Sequence, residues 1–234
     1  MRQSNLRLLV KGVMYVILAT ALFFLVDVGR YVVWPDVSDL TSENPSSTAY
    51  MEHRAAIDGR SVPKLRWVSL KSVSPWLVRA VTISEDDNFW NHEGFDFEGM
   101  RVAFLRNLEE GRFAAGGSSI TQQLAKNLYL TPDKDISRKI KEAVLAIRLE
   151  SALSKRRILE IYLNVIEWGD GIYGIAAAAK HFYGVAPADL TAEQAAWLVA
   201  VLPAPRKYSP VSGSRYVSNR ANIFLSRMLR RAQR

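Results

Sequence analysis

The sequence predicts a mostly α-helical body behind one N-terminal transmembrane helix. An apolar run near the N-terminus has the flanks of a membrane span. From Ser74 onward, capping residues recur in front of apolar positions at helical spacing. Strand-like alternation is confined to a short piece around residues 65–70. A length of 234 residues fits one or at most two domains, and the 49% hydrophobic content excludes a disordered chain. The chain has no cysteine, which excludes disulfides, thiolate metal sites and a cysteine nucleophile.

Residues 8–26 are apolar except for Lys11, and residues 12–26 carry no charge. That run is short against the roughly 20 residues a bilayer needs. Snorkelling by Lys11 and pairing of Asp27 with Arg30, one helical turn on, extend the span over residues 8–33. Tyr31 and Trp34 suit the aromatic belt at its far end, and Arg2, Arg7 and Lys11 place the N-terminus in the cytoplasm. A cleaved signal peptide is the alternative; residues 19–21 resemble its A-x-A site, but apolar residues continue past them. Residues 1–34 therefore read as cytoplasmic stub and anchor, 35–59 as a linker, and 60–234 as the functional domain.

In that domain, Ser74-Pro75 reads as an N-cap followed by the first helical position. Further helices are expected over residues 118–128, from a Ser137 cap to about 153, over 155–164, and over 172–183 up to Gly184. Thr191-Ala-Glu-Gln194 is a capping box opening a helix stopped by Pro203, and residues 215–230 form the last helix. The net charge of +8 favours a polyanionic partner: nucleic acid, an anionic membrane or a phosphorylated substrate. His53, His92 and His181 lack metal-ligand spacing, so no metal site is expected from them.

Four blocks carry chemistry. In residues 85–96, Glu85, Asp86 and Asp87 crowd the C-terminal end of an apolar helix, beside Phe89. The helix dipole is negative there, so a carboxylate in that place gains proton affinity, as a general acid or base requires; a solvated acidic loop is the plain alternative. In residues 116–127, two glycines precede Ser118, Gln122, Gln123, Lys126 and Asn127 at a helix start. That is a donor-rich cradle for an anion, or an ordinary capped helix. Lys134, Arg138, Lys139 and Lys141 then crowd a helix start with Glu142, where cations oppose the dipole unless an anion sits among them. Arg138 and Glu142 are also a plain i,i+4 pair. In residues 154–164, Glu160 and Asn164 lie one turn apart, placed to buttress a cleft.

In order and spacing, these blocks resemble the signatures of the family 51 peptidoglycan glycosyltransferases: E-D-x-x-F-x-x-H-x-G-x-D, G-G-S-T-I-T-Q-Q-L-x-K-N, R-K-x-x-E and K-x-x-I-L-E-x-Y-L-N. Residues 220–228 resemble a fifth block, and the likeness covers residues 60–230. Ser119 replaces the usual Thr, and Asp87-Asn88 stands where a basic residue is frequent. Ser61-Val-Pro-Lys64 matches S-x-x-K but no K-T-G follows, so a monofunctional member without a transpeptidase domain is expected.

The resemblance implies a lysozyme-like glycosyltransferase domain on the outer, periplasmic face of the bacterial cytoplasmic membrane. Its substrates would be lipid II and the growing glycan strand, with cell-wall synthesis proteins as partners and no nucleic acid. It implies Glu85 and Glu142 as the catalytic carboxylates. Asp86, Phe89, Ser118, Gln122, Gln123, Lys126, Asn127, Lys134, Arg138, Lys139 and Lys141 would bind substrate. No cofactor is obligatory, and a divalent cation, Mg or Mn, is an optional aid to diphosphate departure. Residues 97–112, with Phe97, Met100, Phe104, Leu105, Leu108, Arg101, Arg106 and Arg112, read either as a stretch that dips into the membrane interface or as core with a basic exterior. A lytic hydrolase and a non-catalytic lipid-binding module are the rival functions.

Overall fold

The computed structural model describes residues 2–109, 111, 117–132 and 135–233, and only the backbone of residues 2–7 and 107. Lys134, Arg112 and Gly116 therefore lie outside the described residues. Helix α1 (Arg2–Gly29) is followed by a single 3-10 turn, Arg30–Val32. Leu8–Val32 is long and apolar enough to cross a membrane, and none of its most apolar stretch is buried in the protein. The anticipated pair forms, with Arg30 Nη2 3.3 Å from Asp27.

The segment expected as a linker is partly folded onto the domain. Val37 and Leu40 join the core, and α2 (Ala49–Asp58) packs on α5 (Ile120–Tyr129) with Met51 fully buried. Thr48 caps α2 by accepting from Met51 N. Its polar neighbours made a helix start look like a linker.

Helix α3 (Pro75–Glu85) begins as anticipated, with Ser74 accepting from Trp76 N. It is followed by α4 (Phe97–Glu109), α5, α6 (Ile136–Ala152) and α7 (Lys155–Val165). The cap of α6 is Asp135, not Ser137: its carboxylate accepts from Arg138 N at 2.7 Å. A hairpin of β1 (Glu167–Gly169) and β2 (Ile172–Tyr173) follows, antiparallel, with Glu167 opposite Tyr173. The helix expected from residue 172 therefore starts later, as α8 (Ile175–Tyr183), and ends on Gly184 in the left-handed conformation. Helix α9 (Ala192–Val201) opens on the predicted capping box, and α10 (Arg215–Ala232) closes the fold.

Helices α3, α9 and α10 pack on one another, while α5 packs against α2, α6 and α7. One continuous apolar core joins the two groups, with Trp168, Tyr162 and Phe89 its largest fully buried side chains. Glu160 and Asn164 support the chain ahead of α3 rather than the cleft. Asn164 donates to Val68 O and accepts from Val68 N, at 2.8 and 2.9 Å, and Glu160 accepts from Leu70 N at 2.7 Å. The short alternating piece thus finds its backbone partners in side chains, not in a sheet.

Gly174 holds the turn from β2 into α8 at φ +78°, and a Cβ there would lie 2.5 Å from Asn164 O. Both the backbone conformation and the contact exclude a side chain. Gly174→Ala should cost about 3 kcal/mol, and lower the melting temperature in detergent micelles by roughly 6–12 °C. Melting together with the wild type would show that this turn relaxes freely.

Candidate active site

Glu85 is the last residue of α3 and Asp86 its C-cap, so the acidic pair sits at the helix end the sequence indicated. The two carboxylates have different tasks. Asp86 is buried; its Oδ2 accepts from Ile120 N at 3.0 Å, and both its oxygens lie 2.9 Å from His92 Nε2. It therefore ties the end of α3 to the positive N-terminus of α5. Burial raises its pKa, against the pull of Ile120 N–H and His92.

Helix α5 satisfies its own start as well. Ser119 accepts from Gln122 N at 3.1 Å, Gln122 Oε1 accepts from Ser119 N at 3.0 Å, and Ser119 Oγ donates to Gly94 O at 2.6 Å. The cradle expected for a substrate anion is thus occupied by the protein's own Asp86 and a capping box. Asp86 and Gln122 spend these hydrogen bonds on the protein itself. Phe89 is fully buried, its ring face under the Lys155 ammonium at 4.6 Å, and Asn127 turns back on its helix to donate to Gln123 O at 2.8 Å.

Glu85 faces an open cleft of about 290 Å³ lined also by Ser84, Asp96, Met100, Ser118 and Arg227. Gln123 Nε2 donates to Glu85 Oε2 at 3.0 Å, and the hydroxyl of Tyr162, a buried residue of α7, donates to Gln123 Oε1 at 2.9 Å. A buried phenol thus fixes the amide so that its donor end faces the carboxylate. Burial raises the Glu85 pKa; the Gln123 hydrogen bond, then Arg220, Ser84 and Lys126, pull the other way. Tyr162 escaped the sequence reading because its neighbours are core residues, and no pattern records where a hydroxyl points.

The basic half gathers on α6. Glu142 is buried; Arg138 Nη1 donates to one of its oxygens at 2.8 Å and Lys139 Nζ pairs with the other. Lys139 also donates to Ser118 Oγ at 2.9 Å, joining α6 to the loop before α5. Lys126 stands between the halves. Its ammonium senses Glu142 and Glu85, which favour its charge, and Arg138 and Lys139, which oppose it; burial, the largest effect, lowers its pKa. Lys141 departs from this cluster: its ammonium pairs with Asp27 at 2.5 Å and lies over the Tyr31 ring.

Asp87, the departure from the expected basic residue, is compensated by α10. Arg227 and Arg231 reach its carboxylate at 2.9 and 2.6 Å, and Arg227 also donates to Ile83 O. The apolar face of α4 is largely exposed rather than core: Phe97, Phe104 and Leu108 are more than 60% exposed, while Ala103 is buried. Among the described residues, no group of three His, Cys, Asp or Glu is placed to hold a metal.

A family model described as Transglycosylase matches residues 53–229. The chain belongs to the transglycosylase family. Relatives named biosynthetic peptidoglycan transglycosylase include one from Nitrosospira multiformis, 42% identical over 88% of this chain and 93% of its own. One from Laribacter hongkongensis is 42% identical over 95% and 97%, and one from Alcanivorax borkumensis is 50% identical over 81% and 76%. For this transglycosylase the match begins inside α2, so the helix misread as linker is part of the family domain.

Because burial raises the Glu85 pKa, its ionisation works against the folded state. The stability tied to the protonated form is full below the ordinary value of 4.5 and is lost as pH rises through the elevated folded value. Glu85→Gln should therefore be more stable than the wild type at pH 8, with the gap closing toward pH 4, as read by thermal unfolding in micelles. An equal offset at both pH values would show that Glu85 is not desolvated.

Proposed function

We propose that this transglycosylase, a peptidoglycan glycosyltransferase, polymerises lipid II into β-1,4-linked glycan strands and releases polyprenyl diphosphate. The observation that carries the reading is the closeness of two unlike groups, joined where Lys139 donates to Ser118 at the edge of the Glu85 cleft. On one side is a desolvated carboxylate with a neutral hydrogen-bond donor, Glu85 with Gln123; on the other is a cationic cluster, Arg138 and Lys139, with Lys126 between them. Glu85 accepts the proton of the acceptor's GlcNAc 4-hydroxyl as that oxygen bonds to C1 of the donor's MurNAc. The bond from C1 to the diphosphate oxygen breaks on the opposite face, and its electron pair leaves with the diphosphate. The α-linkage thereby inverts to β through an oxocarbenium-like transition state.

The departing charge is met by Lys126, Arg138 and Lys139. Glu142 holds Arg138 and Lys139 in place, and Ser118 orients Lys139. A divalent cation does not fit this cluster, because both Glu142 oxygens are already engaged by Arg138 and Lys139, and no step is assigned to one. Leu8–Val32 anchors the enzyme in the cytoplasmic membrane with Arg2, Arg7 and Lys11 inside, which puts the cleft on the outer face with its lipid substrate. The exposed apolar side chains of α4 meet the same membrane surface.

The test is incubation of detergent-solubilised protein with labelled lipid II, followed by sizing of muramidase-sensitive product. Polymer formation separates this reading from a lytic hydrolase and from a non-catalytic lipid-binding module. Glu85→Gln should lower turnover about 10²–10⁴-fold while donor binding survives. Near-normal turnover with an unchanged acidic limb of the pH profile would move the base role to another carboxylate. Lys126→Ala or Lys139→Ala should each cost about 1.5–3 kcal/mol of transition-state stabilisation, roughly 10- to 150-fold in rate, without unfolding the protein. Wild-type rates for both across a donor titration would misplace the diphosphate grip.

A further inference from the structure

Asp27 lies within the apolar stretch Leu8–Val32, where a carboxylate is costly unless it has a partner. Arg30 is one partner, at 3.3 Å, but its side chain is half exposed. The other comes from the folded domain: Lys141 of α6 reaches Asp27 at 2.5 Å with its own side chain only 13% exposed. The same ammonium lies 5.5 Å from the centre of the buried Tyr31 ring. Two turns along α6, Arg148 donates to Tyr31 O and Val33 O at 3.0 and 3.1 Å. These are carbonyls at the end of the membrane helix, where the helical ladder has run out.

Lys141 and Arg148 thus hold α6 against the end of the span. Arg138 and Lys139 stand on that helix within a turn of Lys141, a rise of about 5 Å. A helix is stiff over that distance, so whatever fixes the height of Lys141 at the membrane fixes the height of the cations as well.

We propose that Asp27 and Lys141 form a positioning latch that sets α6, and with it Arg138 and Lys139, at the headgroup level of the membrane, where a lipid-linked diphosphate lies. The substrate part of this proposal rests on the function proposed above. The latch itself is a separate claim about the anchor and α6.

Two measurements test it on the full chain in lipid vesicles. The first is polymerisation of lipid II by Asp27→Asn, Lys141→Met and the double variant. Each single variant should lose on the order of 10- to 100-fold in kcat/KM through displaced geometry, mainly by raising KM. The double variant should be no worse than either single, because both remove the same pair. Asp27→Glu should keep activity within about threefold of wild type, since it preserves the charge. In detergent micelles, where substrate depth is free to adjust, the losses should shrink.

The second measurement does not depend on activity. The chain has no cysteine, so a nitroxide on Ile136→Cys, an exposed position at the start of α6, reports immersion depth by power-saturation spectroscopy. Its depth should change in Asp27→Asn and Lys141→Met and stay as in the parent for Asp27→Glu. Unchanged depth in both neutralised variants would overturn the latch, whatever the enzyme polymerises. So would losses in the double variant equal to the product of the singles. A depth change with no lipid II polymer even from the wild type would support the latch and refute the proposed substrate.

Discussion

The site depends on one buried carboxylate that takes no part in the proposed chemistry. Asp86 ends α3 and accepts from the first backbone N–H of α5 and from His92. Helices α3 and α5 are separated by more than thirty residues of chain, and α4 with its exposed apolar face lies between them. Without Asp86 the first N–H of α5 would lose its acceptor and the buried His92 its partner. The contact satisfies both and fixes Glu85, next in the chain, against Gln123, the fourth residue of α5. His92 completes the clamp: its Nε2 meets both Asp86 oxygens, and its Nδ1 is buried without a hydrogen-bond partner among the described residues.

From that junction the rest of the site follows by contact. Gln123 is held by Tyr162 of α7, and Ser118, just before α5, accepts from Lys139 of α6. Three helices that pack together in the core therefore each contribute one kind of group to this arrangement: an amide beside Glu85, a buried phenol that holds it, and a cationic pair. The tight packing of α5 against α6 and α7 makes these placements rigid, which a reaction sensitive to small displacements requires.

Ser74 and Thr191 were legible as helix caps because such caps are local signals, whereas Ser119, Ser154 and Asp135 cap helices the sequence placed without naming those caps. Glu85 was legible for a related reason, since an acid at the end of an apolar helix violates a local rule. What stayed hidden is long-range. Whether a polar residue near a cleft serves substrate or scaffold depends on partners far away in sequence. Asp86 and Gln122 were read as binding residues, and their hydrogen bonds run to Ile120, His92 and Ser119 within the protein. Lys141 looked like one cation of a cluster, but its partner Asp27 lies 114 residues earlier. The segment around α2 read as linker because its apolar side chains are few, although Met51 is fully buried. Asp87 looked like a loss of positive charge, and only the fold shows Arg227 and Arg231 restoring it.

The two glutamates show how environment separates roles. Glu85 has lost water and receives a hydrogen bond from a neutral amide, so its charge is tolerated rather than matched, and it gains from taking up a proton. Glu142 is buried as well, but a guanidinium and an ammonium each take one of its oxygens. Glu142 is thereby the fixed counter-charge that keeps these two cations gathered. A diphosphate bound as proposed would meet cations that already stand together, and the reorganisation needed to receive it would be small. Lys126 lies within the fields of both carboxylates, so in the proposed reaction charge leaving on the diphosphate side would strengthen its hold on that ammonium as Glu85 takes up the proton.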